Sequence, residues 1–243
     1  MDLALQLENL ESGYGEVQVL WGISLEVARG KLTTIIGTNG AGKTTTLRAI
    51  MGSLRAWKGS VLLQGEDVTR LPPHAKANRG LVLVPEGRQL FPDMSVEENL
   101  EMGGYSKRAR KREKQNLERV YALFPRLKER RQQKSSTLSG GEQQMLALAI
   151  AMLHDPQILM IDELSLGLAP IIVQDLLEVV DGLKAAGVTL IIVEQSLNVA
   201  AAIADRAVFL EKGRLRFEGA IRDLMERDDL ARAVFLGGGP VKE

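Results

Sequence analysis

The residues best suited to bind phosphate are those of the segment GTNGAGKT, which runs from Gly37 to Thr44. The segment fits the pattern G-x-x-x-x-G-K-[ST], and it lies between a short apolar run and a helix-forming run. In that context backbone N–H groups converge on phosphate oxygens, the Lys43 ammonium group reaches the terminal phosphates, and the Thr44 hydroxyl can ligate Mg²⁺. The alternative is a glycine-rich turn without a ligand, which the flanking strand and helix patterns disfavour. The predicted phosphate-binding residues are Gly37, Thr38, Asn39, Gly40, Ala41, Gly42, Lys43, Thr44 and Thr45.

Two adjacent carboxylates, Asp162 and Glu163, come directly after the apolar run ILMI. Such a run predicts a buried strand, and the carboxyl ends of strands are where ligands bind in open α/β sheets. There Asp162 would hold Mg²⁺ directly or through water, and Glu163 would polarise an attacking water as general base. A charged strand terminus would read the same way, so the pair is informative only beside the phosphate segment. Together with Lys43, the acidic pair predicts the attack of water on a phosphate group of a bound ligand.

A second candidate anion site begins at Ser139, where the chain reads SGGE at the start of a predicted helix. This is a capping-box pattern, in which Ser139 caps the helix and Glu142 reaches back to the Ser139 amide. Capping alone would explain those two residues. It does not explain Gly140 and Gly141, since each glycine in a helix is poorer than alanine by roughly 1 kcal/mol. We interpret the two missing side chains as leaving the first-turn amides open to a bulky anion.

Composition limits the class of protein. The chain has 243 residues, and its Lys plus Arg and Asp plus Glu both number 31, so no overall charge attracts it to nucleic acid or to an anionic membrane. It has no cysteine, which excludes disulfides and thiolate metal sites. Its histidines are His74 and His154, too few and too far apart for a zinc centre. Function must therefore depend on local sites.

The remaining patterns predict an α/β fold with a mostly parallel core sheet and a small antiparallel β flank. Near-continuous apolar runs alternate with helix-forming segments, which is typical of a parallel sheet covered on both faces. They are the segments 31–37, 81–85, 158–162 and 188–193. Period-two alternation near residues 5–7 and 23–27 predicts the flank, with a turn around Gly13 to Gly15. Further hairpin turns are predicted at Gly65 and at Lys212-Gly213.

Helix formers replace these strand patterns from about Ser95 to Leu153, and a capping-box pattern begins this region at Ser95. We expect one domain over residues 1–243. Within it, residues 1–92 and 154–243 would form the nucleotide-binding core with its β flank, and residues 93–153 an inserted helical subdomain. The basic run KRARKREK at 107–114 would be a solvated helix face rather than a nucleic-acid or lipid patch, because it lacks interleaved aromatic residues.

The N-terminal residues do not resemble a signal peptide, because they include early acids and no long apolar region. The longest apolar run, Met145 to Leu153, is far shorter than the roughly 20 residues that span a bilayer. We expect a soluble chain. Any work at a membrane would require other subunits to supply the spanning segments.

The order of these motifs resembles the ATP-binding cassette ATPases over essentially the whole chain. The motifs are the phosphate segment, LSGGEQQ at 138–144 and ILMIDE at 158–163, preceded by an aromatic residue, Tyr14. The resemblance implies that a phosphate-loop fold binds ATP with Mg²⁺, and that Tyr14 stacks on the adenine. It also implies that Ser139, Gly140, Gly141 and Glu142 bind ATP held by the phosphate loop of a second ATPase subunit, so that two head-to-tail subunits enclose two nucleotides.

Three further segments look like the ATPase subunits of branched-chain amino acid importers: VPEGRQLFPDMSVEENL at 84–100, SLGLAP at 165–170 and IIVEQS at 191–196. This likeness makes Glu86 the counterpart of the usual glutamine that senses Mg²⁺, and Gln195 the counterpart of the usual switch histidine. Gln195 can donate a hydrogen bond but cannot carry a proton, so Glu163 should bear more of the catalysis. Glu86 suits Mg²⁺ or its water better than phosphate, because an ionised carboxylate only accepts hydrogen bonds. Leu164 stands where these importer subunits often have a proline after the acidic pair. The absence of that proline could loosen the turn that leads into Ser165.

The resemblance implies an ATPase that powers import of branched-chain amino acids through ATP-driven dimer closure. Its partners would be a second ATPase subunit, membrane-spanning permease subunits and, indirectly, a solute-binding protein, but no nucleic acid. It would lie peripherally at the cytoplasmic face of the inner membrane. Transport of another solute and a regulatory clamp with little turnover remain alternatives. A chromosome-maintenance ATPase is disfavoured, because those relatives insert a long coiled coil between the phosphate segment and the signature, whereas Lys43 and Ser139 lie 96 positions apart.

Overall fold

The computed structural model describes residues 2–104, 110 and 112–226 of the chain. The strands are β1 (Leu3–Tyr14), β2 (Val17–Ala28), β3 (Leu32–Ile36), β4 (Ala56–Leu63), β5 (Glu66–Asp67), β6 (Leu81–Val84), β7 (Ile158–Asp162), β8 (Thr189–Glu194), β9 (Arg206–Glu211) and β10 (Arg214–Ala220). The helices are α1 (Lys43–Met51), α2 (Pro73–Asn78), α3 (Val96–Gly103), α4 (Glu113–Leu123), α5 (Pro125–Glu129), α6 (Gly140–Leu153), α7 (Pro170–Ala185), α8 (Leu197–Ile203) and α9 (Ile221–Met225), with a 3₁₀ turn at Ser135–Thr137. None of the helices in these ranges is long and apolar enough to cross a membrane.

The core sheet has the strand order β10-β9-β3-β8-β7-β6, in which all neighbouring pairs are parallel except the β10-β9 edge hairpin. Every residue of β3, β7 and β8 is buried, as expected of strands covered on both faces. The predicted parallel sheet is confirmed. Because β3, β8 and β7 are adjacent and parallel, their carboxyl ends meet at one edge, and the loops after them converge there.

The predicted antiparallel flank is confirmed as a second sheet with the order β2-β1-β4-β5. It packs over α1 and one face of the core sheet, through side chains such as Leu5, Ile23 and Leu47. The β1-β2 turn lies slightly later than predicted, because Gly13 and Tyr14 still belong to β1 and Gly15 makes the turn with φ 59°. The hairpin turns at Gly65 and at Lys212-Gly213 occur where they were predicted.

The described elements between residues 95 and 153 are helical, as expected for this region. Helix α6 packs between the core sheet and α7, with Leu146 and Leu148 buried in the same cluster as Leu159 and Leu176. The capping box predicted at Ser95 is present, with its side chain accepting from the Glu98 amide and the Glu98 side chain accepting from the Ser95 amide. Residues 107–109 and 111 of the basic run at 107–114 lie outside the described residues.

Candidate functional site

The phosphate loop connects β3 to α1 and contains two residues in left-handed backbone conformations, Gly40 (φ 78°) and Gly42 (φ 101°). Gly37 is also required, because a Cβ there would lie 2.3 Å from the Leu210 carbonyl oxygen. The Lys43 ammonium group folds over the loop and donates hydrogen bonds to the carbonyls of Gly37 (2.8 Å) and Thr38 (3.1 Å). Burial lowers the pKa of Lys43, although the carboxylates of Glu163, Asp162 and Glu194 act in the opposite direction.

Asp162 and Thr44 meet across the carboxyl edge of the core sheet. The Thr44 hydroxyl donates to Asp162 Oδ1 at 3.0 Å, and the Asp162 side chain is almost completely buried. Burial raises the pKa of Asp162 to about 6, with smaller upward contributions from Glu163 and Glu86, while the hydrogen bond from Thr44 opposes the rise. A hydroxyl and a carboxylate so close together are the oxygen donors that Mg²⁺ prefers.

Glu163 adopts a left-handed backbone conformation, with φ 61°. For a residue other than glycine this conformation costs of order 1–3 kcal/mol and persists only where the surroundings enforce it. Its amide donates to the Val193 carbonyl of β8 at 3.1 Å, and its Oε1 accepts a hydrogen bond from the Gln195 side-chain amide. Its other oxygen, Oε2, is buried without a hydrogen-bond partner, so one carboxylate lone-pair site is available to a water.

A cavity of about 600 Å³ lies beside the phosphate loop and brings most of the predicted residues together. Its lining residues are Val19, Asn39, Gly40, Gly42, Lys43, Thr44, Thr45, Glu86, Glu163, Leu166 and Gln195. A neighbouring cavity of about 370 Å³ shares Glu86, Glu163 and Leu166 with it, and continues past Asp162 to Arg88 and the start of α6. The sequence did not indicate Val19 or Leu166 as lining residues.

Tyr14 lies at the end of β1, where it is partly exposed, and its hydroxyl accepts a 3.2 Å hydrogen bond from Arg48 of α1. It is not among the residues that line the 600 Å³ cavity. Stacking of Tyr14 on adenine therefore stays a prediction.

The segment Ser139 to Glu142 forms the predicted capping box at the start of α6. The Ser139 amide donates to Glu142 Oε2 at 2.9 Å, and the Glu142 amide donates to Ser139 Oγ at 3.3 Å. Glu142 also forms a 3.2 Å ion pair with Arg130. Burial favours the neutral acid, but the Ser139 hydrogen bonds and the Arg130 charge prevail and keep the pKa of Glu142 below its usual value.

The two glycines of this segment have different surroundings. Gly141 is buried against α7, and a Cβ there would lie 2.3 Å from Ile172 Cγ2. Gly140 is exposed, and its nearest neighbour is the end of a flexible side chain, Arg88 Nη2, at 3.3 Å from an added Cβ. Close packing of α6 on α7 is therefore a reason for Gly141 that the sequence interpretation missed. The interpretation as an open helix terminus is needed only for Gly140.

Two residues that sequence reasoning missed support these segments. Arg88 donates to Gln143 (2.8 Å) and Gln144 (3.3 Å), which connects the loop after β6 to the first turns of α6. Glu194, at the end of β8, accepts hydrogen bonds from the amide (3.0 Å) and the hydroxyl (2.9 Å) of Ser165. An acid at the end of a buried apolar run was the one signal that could have identified Glu194.

Three features define a phosphate-loop nucleotide-binding protein: a strand-loop-helix phosphate site, an acidic pair at the end of a parallel strand of the same sheet, and a shared cavity. The family model for the ABC transporter matches residues 20–165. The chain belongs to this family, and it is an ATPase that binds ATP.

Similar proteins agree with this assignment. The high-affinity branched-chain amino acid transport ATP-binding protein BraG of Pseudomonas aeruginosa is 43% identical, over 96% of this chain and 100% of its own. The lipopolysaccharide export system ATP-binding protein LptB of Acidithiobacillus ferridurans is 31% identical over 98% of each. The ADP conformation of MJ1267, an ATP-binding cassette of an ABC transporter, is 27% identical with a TM-score of 0.85, over 98% of this chain and 100% of that one. The likeness inferred from the motifs is confirmed.

Proposed function

We propose that this ATPase powers the import of branched-chain amino acids, by closing head-to-tail on a second ATPase subunit when ATP binds and reopening after hydrolysis. The observation that carries the solute class is the 43% identity to BraG over nearly the whole of both chains. The side chains that contact ATP do not contact the transported solute. The solute class therefore rests on similarity, whereas the ATPase chemistry rests on the site.

The geometry supports a role for each residue at the phosphate site. Lys43 would move from the loop carbonyls to the terminal phosphates, which offer stronger charge-assisted hydrogen bonds. Thr44 and Asp162 would hold Mg²⁺, and Glu86 faces the same cavity as a further carboxylate for the ion or its water. When bound, Mg²⁺ would neutralise charge on the phosphates.

Glu163 is the proposed general base. Its partnerless oxygen, Oε2, can accept the proton of an attacking water, and Gln195 holds the other oxygen. Gln195 cannot take up a proton itself, so its contribution is to orient Glu163 and to donate a hydrogen bond. Loss of the Glu163 carboxylate should therefore stop turnover without preventing ATP binding.

The start of α6 supports the proposed dimer. The 14-residue helix presents the positive end of its dipole at Ser139 and at the exposed Gly140, where an anion brought by another chain can approach. Leu166 and Ile171 are apolar and 53% and 71% exposed, which fits contact with a second subunit in the same region. ATP that bridges two subunits binds the closed state more tightly than the open state, and it therefore favours closure.

The helical region supports a membrane partner. Met102 in α3 and Phe91 in the loop before α3 are large apolar side chains that are roughly half exposed. They fit docking onto permease subunits at the cytoplasmic face of the inner membrane. A solute-binding protein would act on the ATPase only through those subunits. Residues 93–153 would then form the subdomain that transmits movement between the ATP site and the membrane.

The test is steady-state ATP hydrolysis by the purified chain, alone and with its permease subunits, beside a Glu163→Gln variant. Wild type should hydrolyse ATP, and the variant should bind ATP without turnover. Stimulation by leucine-loaded binding protein would support amino acid import. Absence of wild-type turnover with the permease present would favour a regulatory clamp.

A second candidate is lipopolysaccharide export, which the 31% identity to LptB favours to a lesser degree. The same reconstituted assay separates the two. Stimulation by lipopolysaccharide, with no response to amino acid, would replace the import proposal.

A further inference from the structure

We propose that Glu194 is a positioning residue for turnover: it anchors Ser165 and thereby fixes Glu163 in its strained, productive conformation. The inference rests on the proposed role of Glu163 as general base. Glu194, at the end of β8, does not line the nucleotide cavity, whereas its neighbour Gln195 does.

Both oxygens of the buried Glu194 side chain are held by Ser165. It is 2% exposed, its Oε1 accepts from the Ser165 amide at 3.0 Å, and its Oε2 accepts from the Ser165 hydroxyl at 2.9 Å. A buried carboxylate is costly unless it is hydrogen-bonded, and here Ser165 supplies a hydrogen bond to each oxygen. Glutamine at this position could keep both bonds, because its oxygen accepts from the Ser165 amide and its amide group can donate to the Ser165 hydroxyl oxygen. Alanine removes both acceptor atoms and therefore releases Ser165.

Ser165, which Glu194 holds, lies two residues after Glu163, whose backbone is strained. Glu163 has φ 61°, and a left-handed conformation in a residue other than glycine must be enforced by its surroundings. Leu164 between them is completely buried, so the segment is fixed from within as well. Ser165 is followed by Leu166, which lines the nucleotide cavity.

Three successive residues at the end of β8 hold the segment from Glu163 to Ser165. The Val193 carbonyl accepts from the Glu163 amide at 3.1 Å, Glu194 holds Ser165, and the Gln195 side chain donates to Glu163 Oε1. This segment is thus held at its start, at its end and at the side chain of Glu163. Without Glu194, the end at Ser165 is released, and Glu163 can relax to a conformation that no longer faces the cavity.

The test compares the full-length variants Glu194→Ala, Ser165→Ala and their double mutant with wild type. Each single variant should lower kcat at least tenfold while KM for ATP stays within about twofold, because neither residue lines the nucleotide cavity. The double mutant should be no slower than the slower single variant, since both changes remove one contact. Ser165→Thr retains the hydroxyl and should restore most of the activity. Glu178→Ala, at an exposed glutamate on α7, is the matched control and should behave as wild type.

A second measurement does not depend on turnover. In the nucleotide-free protein, hydrogen exchange at the Ser165 amide should accelerate at least tenfold in Glu194→Ala, whereas exchange in α1 should not change. Wild-type kcat in Glu194→Ala, or additive losses in the double mutant, would overturn the inference. An inactive wild type would instead overturn the proposed function, and unaltered exchange at Ser165 would then reject the anchoring contact as well.

Discussion

The Thr44 hydroxyl donates a 3.0 Å hydrogen bond to Asp162, and this contact joins two segments that lie 118 residues apart in the chain. It connects the helix of the phosphate loop to the end of β7, so that a hydroxyl and a carboxylate converge on one point of the cavity edge. Burial, with smaller contributions from the surrounding acids, raises the pKa of Asp162 to about 6. The site is therefore assembled at a cost in charge burial that a bound cation would relieve.

We expect Asp162→Asn to stabilise the nucleotide-free protein while it abolishes turnover. The folded-state pKa of about 6 lies above the ordinary 3.8, so the stability associated with protonated Asp162 is present below pH 4 and is lost as pH rises through 6. At pH 7 the asparagine removes a buried charge, still accepts from Thr44, and should raise the free energy of unfolding by about 1–3 kcal/mol. Urea unfolding without Mg²⁺ at pH 4 and pH 7 measures this gain.

The gain should be confined to the higher pH. An equal gain at pH 4, where Asp162 is protonated in the folded state, would show that the charge is not its cause. The ATPase rate of the same variant should fall at least ~100-fold if Asp162 holds Mg²⁺.

We expect Glu163→Gln to trap the closed dimer. Glutamine can still pair with Gln195 but cannot accept a proton from water, so ATP should bind, bridge two subunits and remain unhydrolysed. Turnover should fall by a factor of about 10²–10⁴, the range usual for loss of a general base. Sizing with excess ATP should show a dimer for the variant and mostly monomer for wild type after turnover. The control is Glu163→Gln with Lys43→Ala, which should stay monomeric because the phosphates lose their ammonium partner.

Much of this arrangement could be predicted from sequence because local patterns determine it. The phosphate loop, the carboxylates after β7 and both capping boxes follow from residue types at fixed spacing. Contacts between segments distant in the chain could not be predicted in this way. The Gly141 contact with Ile172 and the Glu194 contact with Ser165 arise from how α6, α7 and β8 pack, which no local pattern contains.

We expect Gly141→Ala and Gly140→Ala to affect different properties. At Gly141 the new methyl group would overlap Ile172, and overpacking of this kind costs about 1–3 kcal/mol of unfolding free energy. At Gly140 it meets the end of the Arg88 side chain and, at an ordinary contact distance of 3.7 Å, Leu168 Cδ2, and the higher helix propensity of alanine should offset any strain. Thermal unfolding of the two variants, without nucleotide, distinguishes them.

The double variant Gly141→Ala with Ile172→Ala should recover part of the lost stability, because it removes the overlapping Cγ2 atom. Gly140→Leu then probes closure without the packing defect. It should bind ATP as a monomer with normal affinity yet fail to dimerise in the Glu163→Gln background. Normal dimerisation of that variant would contradict the proposal that an anion from a second subunit binds at this helix terminus.

We expect stability to rise with pH between about 8 and 10.5 because of Lys76. Its side chain is completely buried, and its ammonium group donates to the Ile50 carbonyl at 2.7 Å, near the end of α1. Burial lowers its pKa from 10.5 to about 8, with the Asp67 carboxylate opposing the shift. In this window the unfolded chain binds the proton and the folded chain does not, so the free energy of unfolding should increase with pH by about 1–3 kcal/mol.

Other groups titrate in the same range, so the informative quantity is the difference between wild type and Lys76→Met. Methionine fills a similar volume without a proton to bind, and the Lys76 contribution should therefore be missing from its unfolding profile. At pH 7 the variant loses the hydrogen bond to Ile50 but avoids burying a cation, and these effects oppose each other. If urea unfolding of the two proteins shows parallel profiles from pH 7 to pH 10, the ammonium group of Lys76 retains its ordinary pKa and the burial argument is wrong.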